Sequence, residues 1–138
     1  FNKAFKPNRT AFDWLSRDPD EVDKYASDPL CGFRCTNQLW IDLLGGLQQI
    51  SKPNNLAQID PGLPLLVIGG ECDPVSAGKR LKDLADALRK AGSQNLQLTL
   101  YPQARHELFN EINRDEVTAQ LIQWLEQALS HRRAQRAE

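Results

Sequence analysis

Methionine is absent from all 138 residues. A chain without one does not contain its own initiator, so either its start was removed or it is a piece of a longer chain. No apolar stretch approaches the ~20 residues that a membrane-spanning helix requires, and no transmembrane segment is expected. The opening Phe1-Asn2-Lys3-Ala4-Phe5-Lys6-Pro7 lacks the charged-then-apolar pattern of a secretory signal peptide. An excess of either charge is missing too. Seventeen Lys and Arg against 18 Asp and Glu give a net charge of -1, whereas the phosphate backbone of nucleic acid rewards a strong basic excess. Nucleic acid is therefore not expected as a partner. The basic cluster His131-Arg132-Arg133-Ala134-Gln135-Arg136 reads as a frayed, solvated helix end.

Cysteine is scarce. Cys31, Cys35 and Cys72 are an odd number without a signal peptide, which argues for reduced thiols and a cytoplasmic setting, with peripheral membrane contact as a further option. The spacing Cys31-x3-Cys35 would supply half of a zinc site, but a structural site needs four ligands. Cys72, His106 and His131 lie far along the chain without paired spacing, so no metal is expected. No cofactor is expected either: glycine-rich phosphate loops are absent, which places a nucleotide-binding or phospho-accepting module last. Also missing is a serine set between glycines as G-x-S-x-G. None of Ser16, Ser27, Ser51, Ser76, Ser93 or Ser130 fits that elbow.

What is present is globular in texture, 41% apolar and 25% charged. Two regions differ. From Phe1 to about Asn55 the signals are helical. Asp18-Pro19-Asp20-Glu21 combines an acidic N-cap, proline at the first helical position and a glutamate placed for a capping box. That helix is expected to reach about Tyr25. A second opens after Thr36, with Trp40, Leu43, Leu44, Leu47 and Ile50 on one stripe that should be buried, and Ser51-Lys52-Pro53 ends it.

From Leu56 onward the pattern becomes strand, helix, strand, helix. Leu65-Leu66-Val67-Ile68 is an unbroken apolar run, suited to a strand covered on both faces. Asp73-Pro74-Val75-Ser76 then opens a helix with Leu81, Leu84, Ala85 and Leu88 on one face, ended by Gly92. Leu96 to Tyr101 alternates as a strand near an edge does. The last helix starts near Asn113-x-x-Glu116 and should bury Val117, Leu121, Trp124, Leu125 and Ala128. A crossover helix of this length makes the two strands parallel, almost always with a right-handed connection. Two strands are too few to cover such helices, so more sheet is expected, in missing sequence or in a partner.

Parallel strands end at a common edge, where ligand crevices form. Asp73 follows the first strand by five residues and His106 follows the second by five. Neighbouring strands lie ~4.8 Å apart, so the carboxylate and the imidazole are placed to hydrogen-bond, as an orienting acid and a base do. Taken singly, Asp73 also suits a plain helix N-cap and His106 a surface loop.

The segment Pro64-Leu65-Leu66-Val67-Ile68-Gly69-Gly70-Glu71-Cys72-Asp73-Pro74-Val75 resembles the strand-to-acid segment of α/β-hydrolases. Tyr101-Pro102-Gln103-Ala104-Arg105-His106-Glu107-Leu108-Phe109-Asn110-Glu111, followed by Arg114-Asp115-Glu116-Val117, resembles the histidine loop of their lysophospholipase and monoacylglycerol-lipase branch. The stretches Asp13-Trp14-Leu15-Ser16-Arg17-Asp18 and Asp28-Pro29-Leu30-Cys31-Gly32-Phe33 are similar to the cap of bacterial members. The resemblance implies the C-terminal part of an α/β-hydrolase fold, a parallel βαβα unit preceded by a helical cap. Residues 1–55 would be the cap or lid and 56–138 the closing section of the core. It implies a carboxylic-ester hydrolase in which Asp73 and His106 serve a serine nucleophile upstream of this chain, acting on a lipid or other small ester. Phe12, Trp14 and Phe33 would line the acyl entrance, Trp40 would belong to the cap core, and Glu107 and Glu111 would fix the loop. This chain alone would be inactive. The alternative is a non-catalytic interaction fragment whose sheet is completed by self-association or a partner.

Overall fold

The computed structural model describes residues 1–76 and 78–135, the side chains of 131–135 excepted. A short 3₁₀ turn at Asn2–Phe5 precedes three helices: α1 at Pro19–Ser27, α2 at Asn37–Ile50 and α3 at Pro53–Leu56. Then follow β1 at Leu65–Gly70, α4 at Lys79–Lys90, β2 at Leu96–Tyr101, a 3₁₀ turn at Leu108–Asn110, and α5 at Arg114–Gln135. The side chains of the basic end from His131 onward lie outside the described residues.

The two strands pair in parallel, in register from Leu65 opposite Leu96 to Gly70 opposite Tyr101, and α4 makes the crossover. The helix starts follow local chemistry. Asp18 accepts from the Asp20 amide at the head of α1, and Thr36 accepts from the Leu39 amide at the head of α2, each filling a donor that a helix leaves open. Glu21 does not close the expected box. It pairs with Lys24 at 2.7 Å, an option open to any exposed glutamate one turn before a lysine.

Several expectations give way. No residue of α2 is buried, and Trp40 on its apolar stripe is 49% exposed. The spacing is helical as expected, but the described chain offers no apolar face for the stripe to meet, and α3 is its main neighbour. The run Leu65–Ile68 is only half-buried, because β1 has a single neighbouring strand. Leu84 and Leu125 are exposed for the same lack of a partner. The helix after Asp73 starts later than expected, at Lys79; Asp73 shapes a turn and caps no helix. Helix α3 was not expected: Pro53 stops α2 by denying it an amide and, with its fixed φ, opens a new turn.

The core sits at the carboxyl end of the strands. Tyr101, Ala104, Leu108 and Val117 pack together with Ile68 against them. Burying the Val117 side chain fully is worth about 1.5–3 kcal/mol. The loops beyond the strands are stitched by backbone: the Glu71 amide to the Tyr101 carbonyl at 3.1 Å, and the Cys72 amide to that of Ala104 at 2.9 Å. Gly70 makes this approach possible, since a Cβ there would overlap the carbonyl oxygens of Ala104 and Arg105.

Candidate functional site

Strand β1 ends at Gly70, and the chain turns at once, with the Asp73 amide bonded to the Gly70 carbonyl at 3.2 Å. Asp73 is buried, with its side chain 8% exposed. Its Oδ1 accepts from the Val75 amide at 2.9 Å, and its Oδ2 from the Ser76 hydroxyl at 2.6 Å and the Ser76 amide at 3.3 Å. Burial pushes the carboxyl up, but the Ser76 hydroxyl, the Val75 amide and His106 outweigh it and hold it below its ordinary value. Asp73 is therefore an anion at neutral pH.

From β2 a turn at Pro102-Gln103 carries the chain back, closed by the Ala104 amide on the Tyr101 carbonyl at 3.3 Å. Gln103 sits at φ 60, the left-handed conformation a type II turn demands at that position. His106 follows, and its Nδ1 lies 3.1 Å from Asp73 Oδ1. An ionised carboxylate only accepts, so Nδ1–H donates. The neutral ring then keeps its lone pair on Nε2. Nε2 has no hydrogen-bond partner among the described residues, and the side chain is 38% exposed. The pair borders a cavity of about 450 Å³ lined by Ile68, Gly69, Ser76, Leu81, Leu108 and Phe109. A larger one of about 570 Å³ lies at the other end of the strands, around Pro64, Asn95 and Trp124. The smaller cavity is the relevant one, because the titratable pair opens into it.

Of the three aromatic residues expected to line an entrance, the structure brings one to the pair. The Trp14 ring lies 5.0 Å from the imidazole, tilted by 43°, with Phe1 against it at 4.9 Å. Phe12 packs on Tyr25 at 4.9 Å. Phe33 is 67% exposed. Among the described residues no three His, Cys, Asp or Glu side chains converge as metal ligands do.

Sequence reasoning missed four side chains here. Ser76 bonds the acid, and its position three residues after Asp73 was the available signal. Arg105 donates to the carbonyls of Asp13 and, at 2.9 Å, of Ser16, while lying over the Phe5 ring at 4.3 Å. Ser16 donates to the Asn110 carbonyl at 2.7 Å, and Arg17 meets Glu111 at 2.8 Å. These three join residues about 90 apart, a distance no local pattern spans.

A family model described as serine aminopeptidase, S33, matches residues 2–113. The chain belongs to that α/β-hydrolase family. Within it, a monoacylglycerol lipase of Mycolicibacterium smegmatis is 32% identical over 116 residues, covering 82% of this chain and 38% of that protein. A highly thermostable carboxyl esterase from Bacillus coagulans, solved in complex with glycerol, superposes with a TM-score of 0.79 at 26% identity. That match covers 92% of this chain and 42% of the esterase. The chain thus spans about two fifths of the length of each of these S33-family relatives. Its parallel strand–helix–strand unit is a partial α/β-hydrolase fold, as expected. No helix among the described residues is long and apolar enough to cross a membrane.

Proposed function

We propose that this chain supplies the acid and the base of a carboxylic-ester hydrolase of the lysophospholipase and monoacylglycerol-lipase type. The observation that carries the reading is the Asp73–His106 hydrogen bond of 3.1 Å at the carboxyl edge of the parallel pair. In it His106 Nε2 takes the proton of a serine hydroxyl and later returns it to the leaving alcohol. Asp73, already anionic, holds the Nδ1–H tautomer and stabilises the imidazolium. The serine, its elbow and the amides that bind the oxyanion come from sequence preceding Phe1. Residues 1–55 act as a cap, and Phe12, Trp14 and Phe33 offer apolar surface to the acyl chain of a lipid or other small ester. The relatives' names, a lipase and an esterase, support the bond class.

Labelling with a fluorophosphonate probe tests this. The 138-residue chain stays unlabelled, the protein that includes the preceding sequence is labelled, and His106→Ala abolishes that labelling. Labelling of the short chain by itself, or full labelling of the His106→Ala protein, sinks the proposal.

A further inference from the structure

The amides of the two residues that flank His106 are each held by a bond from outside the loop's own turn. The Arg105 amide donates to Glu111 Oε1 at 2.7 Å, and the Glu107 amide donates to the Leu15 carbonyl at 2.8 Å. Glu111 also gathers the segment that bears Trp14. Its Oε1 accepts from the Arg17 amide at 3.2 Å, and its Oε2 from Arg17 Nε at 2.8 Å and the Ile112 amide at 3.2 Å. No part of Glu111 is exposed. One carboxylate thus fixes the backbone just before His106 and, through Arg17, the segment whose Trp14 ring lies against the imidazole.

A buried ion pair is seldom the cheapest filling for a core, because desolvation offsets much of the attraction. What a carboxylate does that an apolar side chain does not is accept several directed bonds at once. Here those bonds join Arg17, 94 residues before Glu111 in sequence, to the loop whose histidine must meet Asp73. We propose that Glu111 is the positioning residue of His106, locking the imidazole between Asp73 and Trp14 and tying the N-terminal segment to the base. The inference rests on reading His106 as the base.

Its test needs no turnover. The chain has two histidines, His106 and His131, and long-range ¹H–¹⁵N spectra report which ring nitrogen carries the proton. They are recorded about two pH units above the ordinary histidine value of ~6.5. His106 of the unaltered chain is expected in the Nδ1–H form, with ring protons shifted upfield by Trp14; Trp14→Leu identifies that shift by removing it. Glu111→Gln keeps the shape but leaves Arg17 Nε and the Ile112 amide facing a donor. The Nε2–H form is then expected to become the major one, with the Trp14-induced shift lost, while the β1 and β2 amide signals stay dispersed. A folded Glu111→Gln protein that keeps both His106 signatures overturns the proposal and leaves Glu111 a packing role. If that variant does not fold, Arg17→Gln decides: loss of the Trp14-induced shift supports the proposal, and an unchanged shift overturns it. Neither result depends on probe labelling, so this inference and the hydrolase reading fail separately.

Discussion

Residues 13–22 and residues 37–50 lie in the same helical part of the chain, and their burial runs opposite to their polarity. The first stretch is charged, yet it holds Asp13, Leu15, Ser16 and Val22 in the interior. The second is rich in leucine, yet Leu44 is 62% exposed and nothing in α2 is buried. The difference lies in the partners present. The 13–22 stretch finds the histidine loop, where Ser16, Arg17 and Asp18 meet Asn110, Glu111 and Arg114 at 2.7–2.8 Å. Helix α2 finds chiefly the short α3. A polar group with directed partners is buried readily, and an apolar stripe without an opposing surface stays in water whatever its periodicity.

That contrast can be broken from the packed side first. Gly70→Ala is expected to have the largest effect, a loss of roughly 4 kcal/mol or more, since its Cβ meets backbone oxygens that have nowhere to go. Urea denaturation measures it, and a midpoint within error of the parent would mean the two loops are not locked together. Glu111→Ala should cost about 3 kcal/mol, because it leaves Arg17 and the Arg105 amide without their acceptor. A smaller loss than for any single α2 substitution would reverse the comparison.

Acid sharpens it. Asp73, Asp13 and Asp18 are all held below their ordinary values: Asp73 as above, Asp13 against the upward push of burial by Thr10 and Arg9, and Asp18 by the Arg114 guanidinium. A depressed carboxyl stabilises the fold fully above its unfolded value of ~3.9 and loses that contribution as pH falls through its folded value. The contribution of these three carboxylates should therefore be constant through neutral pH and be lost on the acid side of ~4, with a shallower acid fall in Asp73→Asn. An acid limb unchanged by that substitution would remove Asp73 from the account. Gln103→Gly should stabilise by about 0.5 kcal/mol, the left-handed φ at that turn being costlier to glutamine than the added freedom of the unfolded glycine. A lower melting temperature would contradict it. Smallest of all, Leu44→Gln should change stability by no more than about 0.5 kcal/mol. A cooperative loss there would mean that α2 is covered in solution.

The site was legible in outline for a simple reason. Strand-forming runs of four and six residues, a crossover helix between them and two titratable residues just past their ends are local facts, and parallel pairing turns them into one place. The tautomer of His106, by contrast, follows from which of its nitrogens meets the carboxylate, and that is a matter of coordinates. The expected burial of Trp40 failed because periodicity states which residues share a face and not whether another face exists to meet it.

By itself the sequence determined the strand–helix–strand–helix order that follows Leu56, the helix starts at Asp18 and Thr36, the parallel pair, and the shared edge from which Asp73 and His106 leave. These depend on neighbours a few residues apart, where backbone sterics and short-range hydrogen bonds act. Only the tertiary structure decided that Trp14 lies on the imidazole, that Glu111 gathers Arg17 and Arg105, and that α2 keeps its leucines in water. Those outcomes depend on which distant surfaces meet.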